Sequence, residues 1–282
     1  MIPPVMQFGI IFIYGLIIGS FLNVLIFRAE NDEGIGGRSH CVKCHYNLVW
    51  TDLIPILSFL FLKGKCRKCH QKISIQYPLV ELSTGLIFML IFAFVVNQAS
   101  PVFFNPAPTI GLFIWHATIF SLLLAIFVFD LKHKLIPNLW SYIFAVMALV
   151  QMIWVTPFSG ILNNPARTEL FLNLFSGLIF FIPFFLLWFI SEGKWIGLGD
   201  GKLVLGIGWY LGFISGISAI VLAFWIGAFV AVVLLLIDRL KILPKSITMK
   251  TEIPFGPFLI LSTVIHFFWT IDVIGISGFF LI

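Results

Sequence analysis

Seven stretches of this chain are apolar over about the length a helix needs to cross a bilayer. They lie near residues 8–27, 79–96, 110–129, 139–155, 170–190 and 203–237, with a last one from about 255. A hydrocarbon core of about 30 Å takes roughly 20 helical residues. None of the stretches alternates polar and apolar residues as the strands of a membrane barrel do. Backbone N–H and C=O groups have no water to bond in lipid, so the spanning elements must be helices. With 60% hydrophobic residues and only 10% charged, the chain is excluded from the water-soluble globular class.

The 203–237 stretch is too long for one span. It predicts either an over-long helix or a hairpin turning at Gly212-Phe213-Ile214-Ser215-Gly216, where glycine permits the reversal. The basic residues choose between the two. With a hairpin, residues 28–77, 130–138, 191–202 and 238–254 share one side and carry 16 of the 17 Lys and Arg, leaving Arg167 alone opposite. A single helix would move Arg239, Lys241, Lys245 and Lys250 to the other side. The positive-inside rule therefore makes the basic side cytoplasmic, with both termini outside and about eight transmembrane helices. The net charge of +5 follows from this topology and from attraction to anionic lipid headgroups, and gives no reason to expect nucleic acid. Residues 1–27 have no basic segment ahead of the apolar run and no small-residue cleavage site. They read as a retained span and not as a removed signal.

The one sizeable polar segment, 28–77, holds all four cysteines as Cys41-x2-Cys44 and Cys66-x2-Cys69, with 21 residues between the pairs. Two such knuckles suit a tetrahedral Zn²⁺ site. A segment of about 50 residues with few apolar side chains is expected to need that staple. Disulfides or redox thiols are the alternative, and a reducing cytoplasm disfavours them. Four protein ligands leave no open position for a catalytic water, so the metal is expected to be structural. His40, His45 and His70 adjoin the knuckles and read as solvated histidines. The expected fold is thus an all-α polytopic membrane protein with a small cytoplasmic zinc-binding domain between spans 1 and 2. Its divisions are a first helix (1–27), the four-Cys domain (28–77) and a membrane domain (78–282).

Two acids stand where apolar runs reach water, Asp130 in Val128-Phe129-Asp130-Leu131-Lys132 and Asp200 in Gly197-Leu198-Gly199-Asp200-Gly201-Lys202. Each has a plain structural reading: Asp130 ends a helix, and Asp200 is an N-cap for a span starting near Leu203. A cap does not explain the glycines on both sides of Asp200, which let its carboxylate approach other helices closely. The topology puts both acids on the cytoplasmic side. Two carboxylates that meet cannot both ionise, so one acts as acid while the other draws a proton from water. Neither a zinc-protease H-E-x-x-H nor a G-x-S-x-G serine motif occurs, and Ser58, Ser121 and His116 read as packing residues.

Six motifs now stand in order: Gly19-Ser20-Phe21-Leu22-Asn23-Val24, the paired knuckles, Tyr77-Pro78-Leu79-Val80-Glu81, Asp130 with Leu135-Ile136-Pro137-Asn138, Gly197-x-Gly199-Asp200-Gly201-Lys202, and Pro254-Phe255-Gly256-Pro257. Together they resemble the type IV prepilin peptidases over nearly the whole chain. The resemblance implies a bifunctional inner-membrane enzyme of the G-x-G-D aspartic class. Such an enzyme cuts the basic leader of prepilins and type II secretion pseudopilins after a glycine, then methylates the new N-terminal residue with S-adenosylmethionine. It places the catalytic pair on Asp130 and Asp200 and the zinc ligands on Cys41, Cys44, Cys66 and Cys69. Methyl transfer is associated with the four-Cys segment, including Gly64 and Lys65, although no glycine-rich strand-to-helix turn marks a cofactor pocket.

Supporting roles near the pair fall to Gly197, Gly199, Gly201, Lys202, Glu81, Asn138, Pro254 and Gly256. Glu81 has two readings, a lysine partner within the bundle or contact with the active site. Asn23 is expected to hydrogen-bond between helices. His266 and Asp272 read as interfacial packing. Leader recognition calls for local acids, for which Glu30, Asp32, Glu33 and Asp52 are candidates that also read as solvated surface charges. Two prolines around Gly256 predict an irregular start to the last span. The competing classes are a transporter or channel binding ions at the two aspartates, weakened by their position at the membrane edge, and a methyltransferase with an incidental anchor, which would need one helix and not eight.

Overall fold

The computed structural model describes residues 4–31, 33–34, 36–98, 106–155, 167–240 and 252–269. Asp32, Lys241, Lys245, Lys250 and Asp272, used above, lie outside the described residues. The apolar runs form α1 (Pro4–Glu30), α3 (Gln76–Gln98), α4 (Pro106–His133), α5 (Asn138–Val155), α6 (Arg167–Ser191), α7 (Leu198–Arg239) and α8 (Gly256–Trp269), and α2 (Leu57–Phe61) is a short helix inside the polar segment. Among the described residues there is no sheet, only two isolated antiparallel bridges. Helices α1, α3, α4, α6 and α7 are long and apolar enough to cross a membrane, and α5 and α8 are shorter apolar helices. Large apolar side chains are exposed along them, as at Ile13, Leu86, Val146 and Phe229. This is a multi-pass membrane protein.

The chain forms two compact units, Met1–Ala125 and Ile126–Ile282. In the first, α1 lies along α3 through small residues. A side-chain carbon added at Gly19 would sit 2.6 Å from the Glu81 Cα, and one at Gly15 2.7 Å from the Gly85 Cα. Bare backbone is what lets the two helices approach without a hydrophobic driving force between them. Asn23 meets its expectation, its Nδ2 donating across to the Tyr77 carbonyl at 3.0 Å.

In the second unit α7 is central and packs on α5, α6 and α8. Gly208 lies against the Gly177 backbone, and the Ser176 hydroxyl donates to the Gly208 carbonyl at 2.7 Å. Although α7 is 42 residues long, Gly212 interrupts it with φ 78° and ψ −177°. The two halves return along the same helix. Phe184 of α6 touches Gly201 before the break, and its ring lies 6.4 Å from that of Phe224 after it. In a straight helix residues 201 and 224 would be about 35 Å apart. The expected hairpin is therefore present. Asn173 stabilises it by accepting the freed Phe213 N–H at 2.9 Å, a partner with no signal in the sequence.

Candidate active site and four-cysteine centre

Asp130 occupies the last turn of α4, which ends when Lys134 adopts a left-handed conformation and donates its N–H to the Asp130 carbonyl at 2.8 Å. The following turn, Leu135 to Pro137, is a wedge. Ile136 presses on the first turn of α7 at Gly199, where an added Cβ would meet its Cβ at 2.9 Å. It presses also on the start of α8 at Gly256, where the Ile136 Cδ1 would be 3.1 Å away. One side chain thus gathers the ends of three helices, with glycine beneath it at both places.

Asp130 is 3% exposed. Its Oδ2 would lie 2.5 Å from a Cβ at Gly256, whose amide is the nearest donor, yet Oδ2 makes no hydrogen bond of good geometry. Asp200 is half-buried and within electrostatic range of Asp130. Its capping role differs from the expected one. Helix α7 starts at Leu198 with Gly197 as the N-cap, so Asp200 is the third residue of the helix and reaches back to the Gly197 amide. The glycines before it carry the helix start further toward the N-terminus than the apolar run from 203 indicates.

Lys202 points away from the carboxylates. Its Nζ donates to the Asn138 Oδ1 at 2.7 Å and lies 4.9 Å from the centroid of the Tyr142 ring, joining the starts of α5 and α7. Tyr142 went unmarked in the sequence, where nothing sets it apart from other aromatics. Gly201 fits against Phe181 and Phe184. Pro254 precedes α8, which Phe255 opens by accepting the Phe258 and Leu259 amides, and Pro257 sits in the first turn where no N–H is needed. The irregular start expected there is observed.

In the first unit the four cysteine Sγ atoms lie within 4.8 Å of one another, with Cys41 and Cys69 at 3.8 Å. A tetrahedron with metal–sulfur bonds of about 2.3 Å has sulfurs about 3.8 Å apart, so the set fits a closed metal site. The two knuckles repeat each other. In each, the residue four after the first cysteine, His45 or His70, is left-handed and bonds back to that cysteine's carbonyl. The next residue's carbonyl accepts the cysteine N–H, and a bridge closes the base, His40 with Asn47 or Lys65 with Lys72. The Cys69 and Lys68 amides hold the Cys66 thiol down to about 7, while burial and the three neighbouring sulfurs push the Cys69 thiol up to about 11, as thiols crowded together without a cation do.

The chain resembles known proteins along most of its length. Residues 13–95 match the bacterial peptidase A24 N-terminal domain and residues 117–232 the type IV leader peptidase family. Prepilin leader peptidase/N-methyltransferase of Vibrio cholerae is 30% identical over 268 residues, covering 91% of this chain and 94% of that one. The proteins of the same name from Pectobacterium carotovorum and Bacillus subtilis are 31% and 30% identical, over 93% and 95% of this chain and 92% and 96% of theirs. The chain belongs to the type IV leader peptidase family. No solved structure matches it significantly.

The remaining candidates take definite places in this member of the leader peptidase family. Glu81 has no lysine partner among the described residues. It is buried, and its Oε2 accepts the Ile56 amide at 2.7 Å, with the Ser20 hydroxyl also bonded to it. Backbone and hydroxyl donors satisfy a buried carboxylate without a second charge to desolvate. Asp52 is likewise not a solvated charge, since its side chain is 2% exposed and pairs with Arg67 at 2.6 Å. Glu33 is exposed, and Glu30 is half-buried at the end of α1. Gly64 is left-handed, closing α2 with its N–H on the Phe59 carbonyl, and Lys65 enters the bridge to Lys72 with its side chain exposed. His266 is not interfacial: it is buried, with Nδ1 against the Ser262 carbonyl at 3.1 Å, because α8 turns that face into the bundle.

Proposed function

We propose that this protein cleaves the leader peptide from prepilins and pseudopilins at the cytoplasmic face of the inner membrane and then methylates the new N-terminal residue. The observation that carries the reading is the convergence of Asp130, Gly199-Asp200 and Gly256 around Ile136, at three helix ends that all lie within Ile126–Ile282. A leader peptidase must act where a basic leader meets an apolar helix, and a site at helix ends suits that junction. The distribution of basic residues supports the cytoplasmic side.

Asp130 and Asp200 share one proton in the resting enzyme, as two neighbouring carboxylates do. The ionised member takes a proton from a water positioned against the scissile carbonyl. The protonated member donates to the leaving amine. Gly197, Gly199, Gly201 and Gly256 keep the backbone bare where these groups meet, Asn138 and Lys202 fix α5 against α7, and Pro254 sets the approach to α8.

Zn²⁺ is the metal we assign to Cys41, Cys44, Cys66 and Cys69. It would fold residues 28–77 and take no part in the hydrolytic step. S-adenosylmethionine, which the N-methyltransferase name of the relatives implies as methyl donor, is assigned to the same segment, where Gly64 and Lys65 are the proposed contacts. The backbones of both already serve turn and bridge, so any contact falls to the exposed Lys65 side chain. The working division is a first helix (1–27), a four-Cys domain (28–77) and a peptidase domain (78–282).

The test is cleavage of a model prepilin in membranes by the wild type, Asp130→Asn and Asp200→Asn, with product masses resolved to a methyl group. Wild type should release a shortened, methylated product. Each variant should lose about 10²–10⁴-fold or more in rate, the range one acid–base group contributes. An intact substrate with the wild type would remove the peptidase reading and leave the ion-binding one.

A further inference from the structure

The few apolar side chains expected of residues 28–77 are not what the stretch between the knuckles holds; it runs Val49-Trp50-Thr51-Asp52-Leu53-Ile54-Pro55-Ile56-Leu57-Ser58-Phe59-Leu60-Phe61. Nor are these residues packed inward. Trp50 is 77% and Phe61 82% exposed, with Leu53, Leu57 and Leu60 also exposed. A cluster of this size turned to water in a domain of some 50 residues is costly and marks a surface that meets something apolar.

The depth of the cluster says what it meets. Ile56, in its middle, donates its N–H to Glu81, five residues into α3. At 1.5 Å per residue that is about 7–8 Å along a helix that crosses the membrane. The bond is not incidental: Ile56 is held at φ 60°, a conformation a β-branched residue rarely adopts. Ile75 and Leu79 continue an exposed apolar strip from the edge of this domain onto the lipid-facing side of α3. Lys63, Lys65 and Lys68 follow directly and are exposed, giving a basic margin matched to anionic headgroups, while Arg67 beside them is paired with Asp52. Apolar and aromatic side chains backed by lysines, at a depth of several ångströms, are the makeup of an interfacial membrane anchor.

We infer that the segment from Trp50 to Phe61 is immersed in the boundary between headgroups and acyl chains of the bilayer that α1 and α3 cross, so that the four-Cys domain lies on the membrane and does not stand off in solution. The inference rests on the membrane reading of α1 and α3. It concerns a second, monotopic contact that the spanning helices do not supply. The alternative occupant is the apolar helix of a protein substrate, and it is separable by experiment.

The full-length protein, metal retained, is reconstituted in nanodiscs containing anionic lipid. A nitroxide is carried on a keto amino acid at position 61, 68 or 86, leaving the cysteines untouched. Collision with oxygen, which concentrates in lipid, is compared with collision with a water-soluble nickel chelate. Position 86, on the exposed side of α3, reports whether that helix is in lipid at all. The inference requires the label at 61 to favour oxygen, with nickel collisions reduced severalfold relative to 68. If 86 favours oxygen while 61 matches 68, the anchor is overturned although the membrane reading stands. Protection at 61 that develops only when a prepilin is added would overturn it as well and assign the surface to the substrate. If 86 itself collides freely with nickel, the membrane reading of α3 fails and the anchor with it.

Discussion

Around Asp130 and Asp200 the close approaches are between a side chain and bare backbone, at Gly199 and Gly256 under Ile136, inside a unit where four helices pack on one another. Around the four cysteines they are between sulfurs on loops, and Cys66 is the one buried residue among the described residues of 33–75. The first site exists because the bundle is folded. The second must itself supply what folds its surroundings, through ligation and through the membrane contact inferred above. Damage to one should therefore leave the other standing, with different signatures.

The largest effect is expected at the cysteines. Cys66→Ser, or a strong chelator, removes a ligand set whose metal affinity in small domains is worth about 10 kcal/mol of folding free energy. Bound metal should fall to near zero, and residues 28–77 should become open to trypsin at Arg67 and Lys68. Elemental analysis and limited proteolysis check this. Retained metal with protease resistance would break the comparison.

Next is Gly256→Val. The added carbons meet the Asp130 Oδ2 and Ile136, both part of the packed site. Cleavage should drop by about 10²-fold, the scale at which an ångström of misplacement acts, while metal content and trypsin resistance stay at the wild-type level. Unchanged cleavage would show that α8 does not help set the position of Asp130.

The sites also differ in how far they could be read from sequence. The knuckles were legible because ligand spacing is local: two residues between cysteines, a left-handed residue next, and a backbone bridge. The spans and the hairpin were legible from apolar length and from the placement of Lys and Arg, and Gly212 lies at the first residue of the expected turn. Asp130 and Asp200 stood out as charges at the ends of apolar runs. What was not legible depends on partners distant in sequence. Ile136 as a wedge, Asn173 as the acceptor for Phe213, Ile56 as the donor to Glu81 and the burial of His266 follow from helix faces that no local pattern specifies. The exposed stretch from Trp50 to Phe61 is hidden for another reason. Its apolar content is local, and the polar average over 28–77 conceals it.

Gly212→Ala sharpens the comparison at a smaller scale. The φ of 78° with extended ψ is a region essentially reserved for glycine, and a Cβ there would lie 2.9 Å from the Asn173 Oδ1. Strain of this kind costs about 1–3 kcal/mol. Unfolding in detergent should occur at a lower temperature, with cleavage at permissive temperature close to wild type, because the hairpin is remote from Asp200 along α7. A thermal shift without loss of bound metal at lower temperatures places the effect in the second unit.

The smallest effect belongs to Lys202→Met. Lysine here joins α5 and α7 through Asn138 and Tyr142, but the pair is at the surface, where a hydrogen bond to a charged group competes with water and is screened. The loss in stability should be below about 1 kcal/mol. Its reading lies in the kinetics. Lys202 follows Asp200 by two residues, yet its ammonium is drawn off to Asn138, so it adds a tether and not a proton donor. A tether predicts a modest fall in cleavage that Lys202→Arg restores, with an unchanged pH profile. If Lys202 instead supplied charge to the reacting groups, the profile would move and arginine would not restore it to the wild-type shape. That result would transfer Lys202 from the packing of the bundle to the chemistry of the pair.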